Sequence, residues 1–73
     1  MRCVMPPEVG RCKASMRRWY YDIESNNCKT FIFGGCGGNE NNFWSKTECQ
    51  VACIGNDLYF LTLFFNEVLL LWQ

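Results

Sequence analysis

The residues best placed to do chemistry lie in Gly10-Arg11-Cys12-Lys13-Ala14-Ser15. Lys13, a long cation, follows a half-cystine and precedes two small residues that let another backbone come close. A protease that cuts after Lys or Arg carries an acid at the base of its pocket, and Lys13 on a stapled loop has the form of its substrate. Chemistry of the chain's own has little support. The sequence has no His and no readable pair of acids, and Ser15, Ser25 and Ser45 have no base to activate them. A Ser–Lys dyad is formally open, but nothing favours it. No phosphate loop is legible either: in Gly34-Gly35-Cys36-Gly37-Gly38 no Lys-Ser/Thr follows the glycines. The expectation is a binding protein, not an enzyme, and no cofactor.

Positioning such a loop falls to a small chain. Seventy-three residues make one domain at most, and a chain of that size buries too little apolar surface to be comfortably stable without staples. Cys3, Cys12, Cys28, Cys36, Cys49 and Cys53 form an even set, which reads as a disulfide framework from an oxidising compartment. Metal spacing is missing. There is no C-x-x-C, and the closest pair is Cys49 and Cys53, so no metal site is expected. The formal net charge is zero, which argues against nucleic acid, yet Arg11, Lys13, Arg17 and Arg18 put four of the seven basic residues within eight positions. That cluster is either a solvated strand edge or a local field that steers an acidic partner. No basic n-region and apolar h-region precede Cys3, so the chain reads as a mature secreted domain or a piece of a longer precursor.

Along the chain, Pro6-Pro7 sets an extended or turn-like start, and Gly10 permits unusual backbone just before the loop. Met16 to Glu24 reads as a strand, with Trp19 and Tyr21 on one face and Tyr20 on the other. Ser25-Asn26-Asn27 is turn chemistry and Cys28 to Phe33 a second strand, which together predict a hairpin. The glycines around Cys36 imply backbone passing very close to another segment, such as the first loop, or to a docked partner. Ser45-Lys46-Thr47-Glu48 is a capping box, predicting a short helix from about Ser45 to Ala52 with Gly55 as its stop. Cys49 and Cys53 share one face of that helix.

Six cysteines allow 15 pairings, and the residues alone do not choose among them. The gaps between successive cysteines are 8, 15, 7, 12 and 3 residues. With Gly10, Arg18-Trp19-Tyr20-Tyr21, Phe31-Ile32-Phe33-Gly34-Gly35-Cys36-Gly37-Gly38-Asn39 and Asn41-Asn42-Phe43, this pattern resembles a Kunitz-type inhibitor domain of the pancreatic trypsin inhibitor family over about Cys3 to Cys53. The resemblance implies a small disulfide-rich α+β fold, a twisted β-hairpin plus a C-terminal helix, held by Cys3–Cys53, Cys12–Cys36 and Cys28–Cys49. It implies that Lys13 fills the primary specificity pocket of a trypsin-like serine protease, with Lys13–Ala14 as the reactive-site bond. Gly10, Arg11, Cys12, Ser15, Met16 and Arg17 would line the protease cleft, with Gly34 and Gly37 as a second, flatter contact. Asn41 would be a buried structural amide, and Phe31 and Phe43 core rings. Three residues depart from the family's habit: Phe33 often has a Tyr in its place, Arg11 a Pro, and Trp44 something polar.

The resemblance divides the chain into an inhibitor domain, 1–54, and an apolar extension, 55–73. Leu58 to Trp72 is mostly Leu and Phe, broken by Thr62, Asn66 and Glu67, and is short of the ~20 residues a membrane span needs. It reads first as an appended segment unrelated to inhibition, with membrane association second. The leading expectation is a monomeric, extracellular, reversible inhibitor. The alternatives are a non-inhibitory Kunitz interaction module and a Kunitz-fold channel blocker, the latter disfavoured because Arg2 is the single cation at the amino end.

Overall fold

The computed structural model describes residues 1–55 of the chain. Its elements are a 3-10 turn at Arg2–Val4, strand β1 at Met16–Asp22, strand β2 at Asn27–Phe33 and helix α1 at Lys46–Cys53. The strands form an antiparallel hairpin whose register runs from Met16 opposite Phe33 to Asp22 opposite Asn27. β1 stops two residues short of the predicted Glu24. The Asp22 carboxylate accepts hydrogen bonds from Glu24 N (3.3 Å) and Ser25 Oγ (2.9 Å), folding the chain into a turn there. Asn26 takes φ +54° in that turn, a conformation Asn tolerates well. Its Oδ1 accepts a hydrogen bond from the Tyr21 hydroxyl.

The hairpin's outer edge is covered. Trp19 and Phe43 exchange two backbone hydrogen bonds of 2.8 Å, and two residues along, Asn41 does the same work with its side chain. The Asn41 amide accepts from Tyr21 N (2.9 Å) and donates to Tyr21 O (3.0 Å) and Met5 O (2.7 Å). One fully buried side chain thus stands in for a strand and also ties down the amino-terminal segment, leaving none of its polar atoms unpaired. A second amide, Asn39, holds Pro6 O at 2.7 Å.

Phe43, Cys28 and Cys49 form the core, with Trp19 and Tyr21 packed against it, as the alternation along β1 predicts. Phe31 is a correction. It is half-buried and meets Tyr20 edge-on on the opposite face, at 5.6 Å between ring centroids, while Phe33 is the buried ring of that face. The helix begins where its capping box does: Ser45 Oγ accepts from Glu48 N at 3.1 Å. Its last element differs from the expectation. Ile54 caps the helix in right-handed conformation, and Gly55 donates to Gln50 O without taking a positive φ, so glycine's left-handed freedom is not what stops it.

All three disulfides carry the pairing the resemblance implied, Cys3–Cys53, Cys12–Cys36 and Cys28–Cys49. Their sequence separations are 50, 24 and 21 residues. By loop-closure entropy each one, taken singly, restricts the unfolded chain by about 3–4 kcal/mol, a large share of the stability of so small a domain. The first joins helix and amino-terminal segment, at a 3-10 turn that no local capping signal announced.

Candidate functional site

The loop carrying Lys13 is extended, exposed and held from behind. Arg11, Cys12, Lys13, Ala14 and Ser15 are all exposed, and Met16 is half-buried where β1 begins. Among the described residues Lys13 has no carboxylate within ion-pair distance, the one ion pair being Lys29–Asp22 at the far end of the hairpin. Its charge is therefore free to meet an acid supplied by a partner.

What fixes the loop is Gly34. Gly34 N donates to Val9 O at 2.8 Å, and Gly34 O accepts from Ala14 N at 3.0 Å, so one residue bridges both limbs of the loop. The Cys12–Cys36 disulfide, with its Cα atoms 5.5 Å apart, closes the same two segments covalently. The approach leaves no room for a side chain. A Cβ on Gly34 would lie 2.0 Å from Cys12 O, and one on Gly10 would lie 2.0 Å from Cys36 O. Gly10 also has φ +83°. The close passage anticipated for the glycines around Cys36 is thus an approach to the loop itself.

This places the residues proposed from sequence in two layers. Gly10, Arg11, Cys12, Lys13, Ala14, Ser15 and Arg17 lie at the surface, as does Gly37. Gly34 does not. It is buried under the loop, and the exposed glycine beside it is Gly35. Gly35 has φ +103°, and a Cβ there would sit 3.4 Å from both Ala14 Cβ and Met16 Sδ. Val9 is the supporting residue that sequence reasoning missed. It acts through its carbonyl alone, and a carbonyl leaves no trace in residue type.

Arg18, just beyond the loop, is clamped. Its guanidinium lies 3.6 Å from the Trp44 ring centroid and 5.0 Å from that of Phe33, and its Nη1 donates to Asn42 Oδ1 at 3.0 Å. The Phe and the Trp that depart from family habit are therefore the two walls around one arginine. Among the described residues no group of His, Cys, Asp or Glu is arranged to hold a metal ion.

A hairpin and helix stapled by three disulfides, presenting a rigid cationic loop, define a small disulfide-framework binding module. The sequence profile of the Kunitz/Bovine pancreatic trypsin inhibitor domain matches residues 2–54. The chain belongs to that family, whose members inhibit proteases rather than catalyse a reaction. It is 53% identical over 53 residues to Kunitz-type serine protease inhibitor B3 of Daboia siamensis and 55% identical over 53 residues to Kunitz-type serine protease inhibitor 2 of the same species. The match takes in 73% of this chain in both cases, 63% of the first relative and 88% of the second. The chain thus spans less than two thirds of the length of the first. Among solved structures it is similar to calcicludine, with a TM-score of 0.73 and 36% identity over 75% of this chain and 92% of the other. It is also similar, at TM-score 0.70 and 36% identity over 71% of this chain and 88% of the other, to a chain from work described as pore-modulating toxins that exploit inherent slow inactivation to block K+ channels.

Proposed function

We propose that the chain is a reversible, substrate-like inhibitor of trypsin-like serine proteases, acting as an extracellular monomer, with Lys13 in the specificity pocket and Lys13–Ala14 as the reactive-site bond. The observation that carries the reading is the double hold on that bond. Lys13 is exposed on a loop whose two sides are fastened to one segment, by Ala14 N–Gly34 O on one side and Cys12–Cys36 on the other.

Inhibition by such a loop needs no chemistry from the inhibitor. The ammonium of Lys13 reaches an acid at the base of the pocket. The loop has already lost the freedom that a flexible substrate surrenders on docking, so more of the contact energy appears as affinity. Should the protease cleave Lys13–Ala14, the new amine at Ala14 remains hydrogen-bonded to Gly34 O, and the acyl side remains tethered through Cys12. The leaving group stays beside the acyl-enzyme, water is kept from taking its place, and religation outruns release.

The channel-blocking reading draws on the solved structures at 36% identity. Against it stands the amino end of this chain. The single cation there, Arg2, is engaged by Glu40 O at 3.0 Å and stacked 4.5 Å from the Phe43 ring centroid.

Titration of trypsin with the oxidised chain, before and after reduction, tests the proposal. Stoichiometric inhibition that disappears on reduction and on Lys13→Glu is expected. A Lys13→Glu variant as inhibitory as the parent would show that another residue is the anchor.

A further inference from the structure

Several large apolar side chains stay uncovered at the end of the molecule away from Lys13. Two hollows lie there side by side, of about 330 and 280 Å3, and share Val4, Tyr21 and Ile23 as walls. β1 starts beside the loop at Met16, and Ile23 stands seven residues, about 23 Å of extended chain, beyond that start. Ile23 is 56% and Val4 50% exposed. The amino-terminal wall is fixed in place. The Asn41 side chain donates to Met5 O, the Asn39 side chain donates to Pro6 O, each at 2.7 Å, and Cys3 is bridged to Cys53. The hollows are thus a standing feature of the fold, as binding sites commonly are.

We propose that the apolar extension of this same chain occupies the smaller hollow, with Leu58, Tyr59 and Phe60 as the side chains that enter it. The first argument is where the described chain ends. The 280 Å3 hollow is walled by Ala52, Cys53 and Ile54, the end of α1 and its cap, so the chain leaves the helix at the hollow's own rim. Only Gly55, Asn56 and Asp57 separate Ile54 from Leu58. Four residue steps reach about 14 Å at most, ample for a hollow that Ile54 itself lines.

The second argument is sequence. Leu58-Tyr59-Phe60-Leu61 is the first apolar run after the helix, and covering such side chains together with Val4 and Ile23 is favourable in proportion to the apolar area removed from water. Attachment decides between occupants. A segment tethered by so short a linker is present at an effective concentration on the order of millimolar, far above that of a second copy in dilute solution. A lipid surface is disfavoured by charge. Residues 55–73 contain no Lys or Arg, Asp57 and Glu67 are acids, and Glu24 lies on the wall of the adjoining hollow, so nothing there attracts an anionic headgroup. The apolar run continues to Trp72, beyond what a hollow of this size takes in, so removing the whole extension subtracts more apolar surface than it uncovers.

Nuclear Overhauser contacts in the oxidised full-length chain test the proposal. Ring protons of Tyr59 or Phe60 are expected to show contacts to the methyl groups of Val4, Ile23 or Ile54. These should persist on dilution and be absent between labelled and unlabelled copies in a mixed sample. Ile23→Asp should remove them while the Trp19–Thr30 pairing of the hairpin stays intact, because Ile23 lies in the exposed turn. Ile32→Asp makes the same change at a residue 53% exposed on β2 and should keep the contacts of the parent. Absence of the contacts in the parent, or their survival in Ile23→Asp, overturns the proposal. Contacts seen only between copies would overturn it in favour of a second molecule. Their loss on adding phosphatidylcholine vesicles, with the chain carried into the vesicle fraction, would overturn it in favour of a lipid surface.

Discussion

Gly34→Ala isolates the steric argument for the loop, because Gly34 does not use a positive φ and only space forbids a side chain there. The added methyl carbon would stand 2.0 Å from Cys12 O and 2.9 Å from both Cys12 C and Val9 O. All three are backbone atoms and cannot rotate away, so the loop or β2 must shift by roughly 1.5 Å to restore ordinary contact. Forcing an extra methyl into packed structure costs about 1–3 kcal/mol. The same shift lengthens Gly34 N–Val9 O and Ala14 N–Gly34 O, each contributing about 1 kcal/mol net. Together they amount to about 3–5 kcal/mol, which for a domain of this size lowers Tm by roughly 20 °C. Since the displaced segment carries the proposed reactive bond, a misplacement of that size should raise the trypsin inhibition constant on the order of a hundredfold. The assay is a thermal melt paired with tight-binding titration of trypsin. Gly37→Ala is the reference: its Cβ meets nothing closer than 3.7 Å, leaving only the left-handed strain of about 1–2 kcal/mol at φ +73°. A Gly34→Ala variant that melts and inhibits like the parent would refute the claim that Gly34 holds the loop by close approach.

Two further outcomes follow from other parts of the molecule. Lys29, by hydrogen bond, and then Ser25 hold the Asp22 carboxyl below the usual carboxylate range, while Asp22 raises Lys29. Asp22 therefore adds stability that is present above its unfolded pKa of about 4 and disappears as pH falls through the lowered folded value. Lys29 adds stability below its own ordinary value that disappears as pH rises through the raised one. Urea midpoints measured from pH 7 to pH 2 should fall less steeply for Asp22→Asn than for the parent, and the difference should shrink in high salt because the pair is exposed. Superimposable curves would remove the pair from the account. Deleting residues 56–73, which lie outside the described residues together with the proposed extension and its membrane option, should leave trypsin inhibition unchanged and improve solubility. A loss of inhibition would tie the tail to the module.

The fold was legible where residue type and spacing carry the physics. Alternation in β1 separated Trp19 and Tyr21 from Tyr20, the capping box located the helix, and Asn26 marked the turn by its tolerance of positive φ. The disulfide pairing was not legible in this way. It came from resemblance, since nothing in six half-cystines distinguishes one of 15 connectivities. What residue type left open has a common cause. Phe31 and Phe33 lie two residues apart on one face of β2, and neither their alternation nor their types say which is covered. Arg18 decides it, by lying over Phe33 with Trp44 on its other side. Gly34 and Gly37 are the same residue in one glycine-rich run, yet one is buried and one exposed, because Val9 and Ala14 reach only the first through backbone atoms. Both outcomes were fixed by groups more than ten residues away in sequence. The proposed site is therefore readable at its proposed anchor, Lys13, which is marked by residue type, and unreadable in its support, where carbonyls and amides that every residue possesses hold the loop in place.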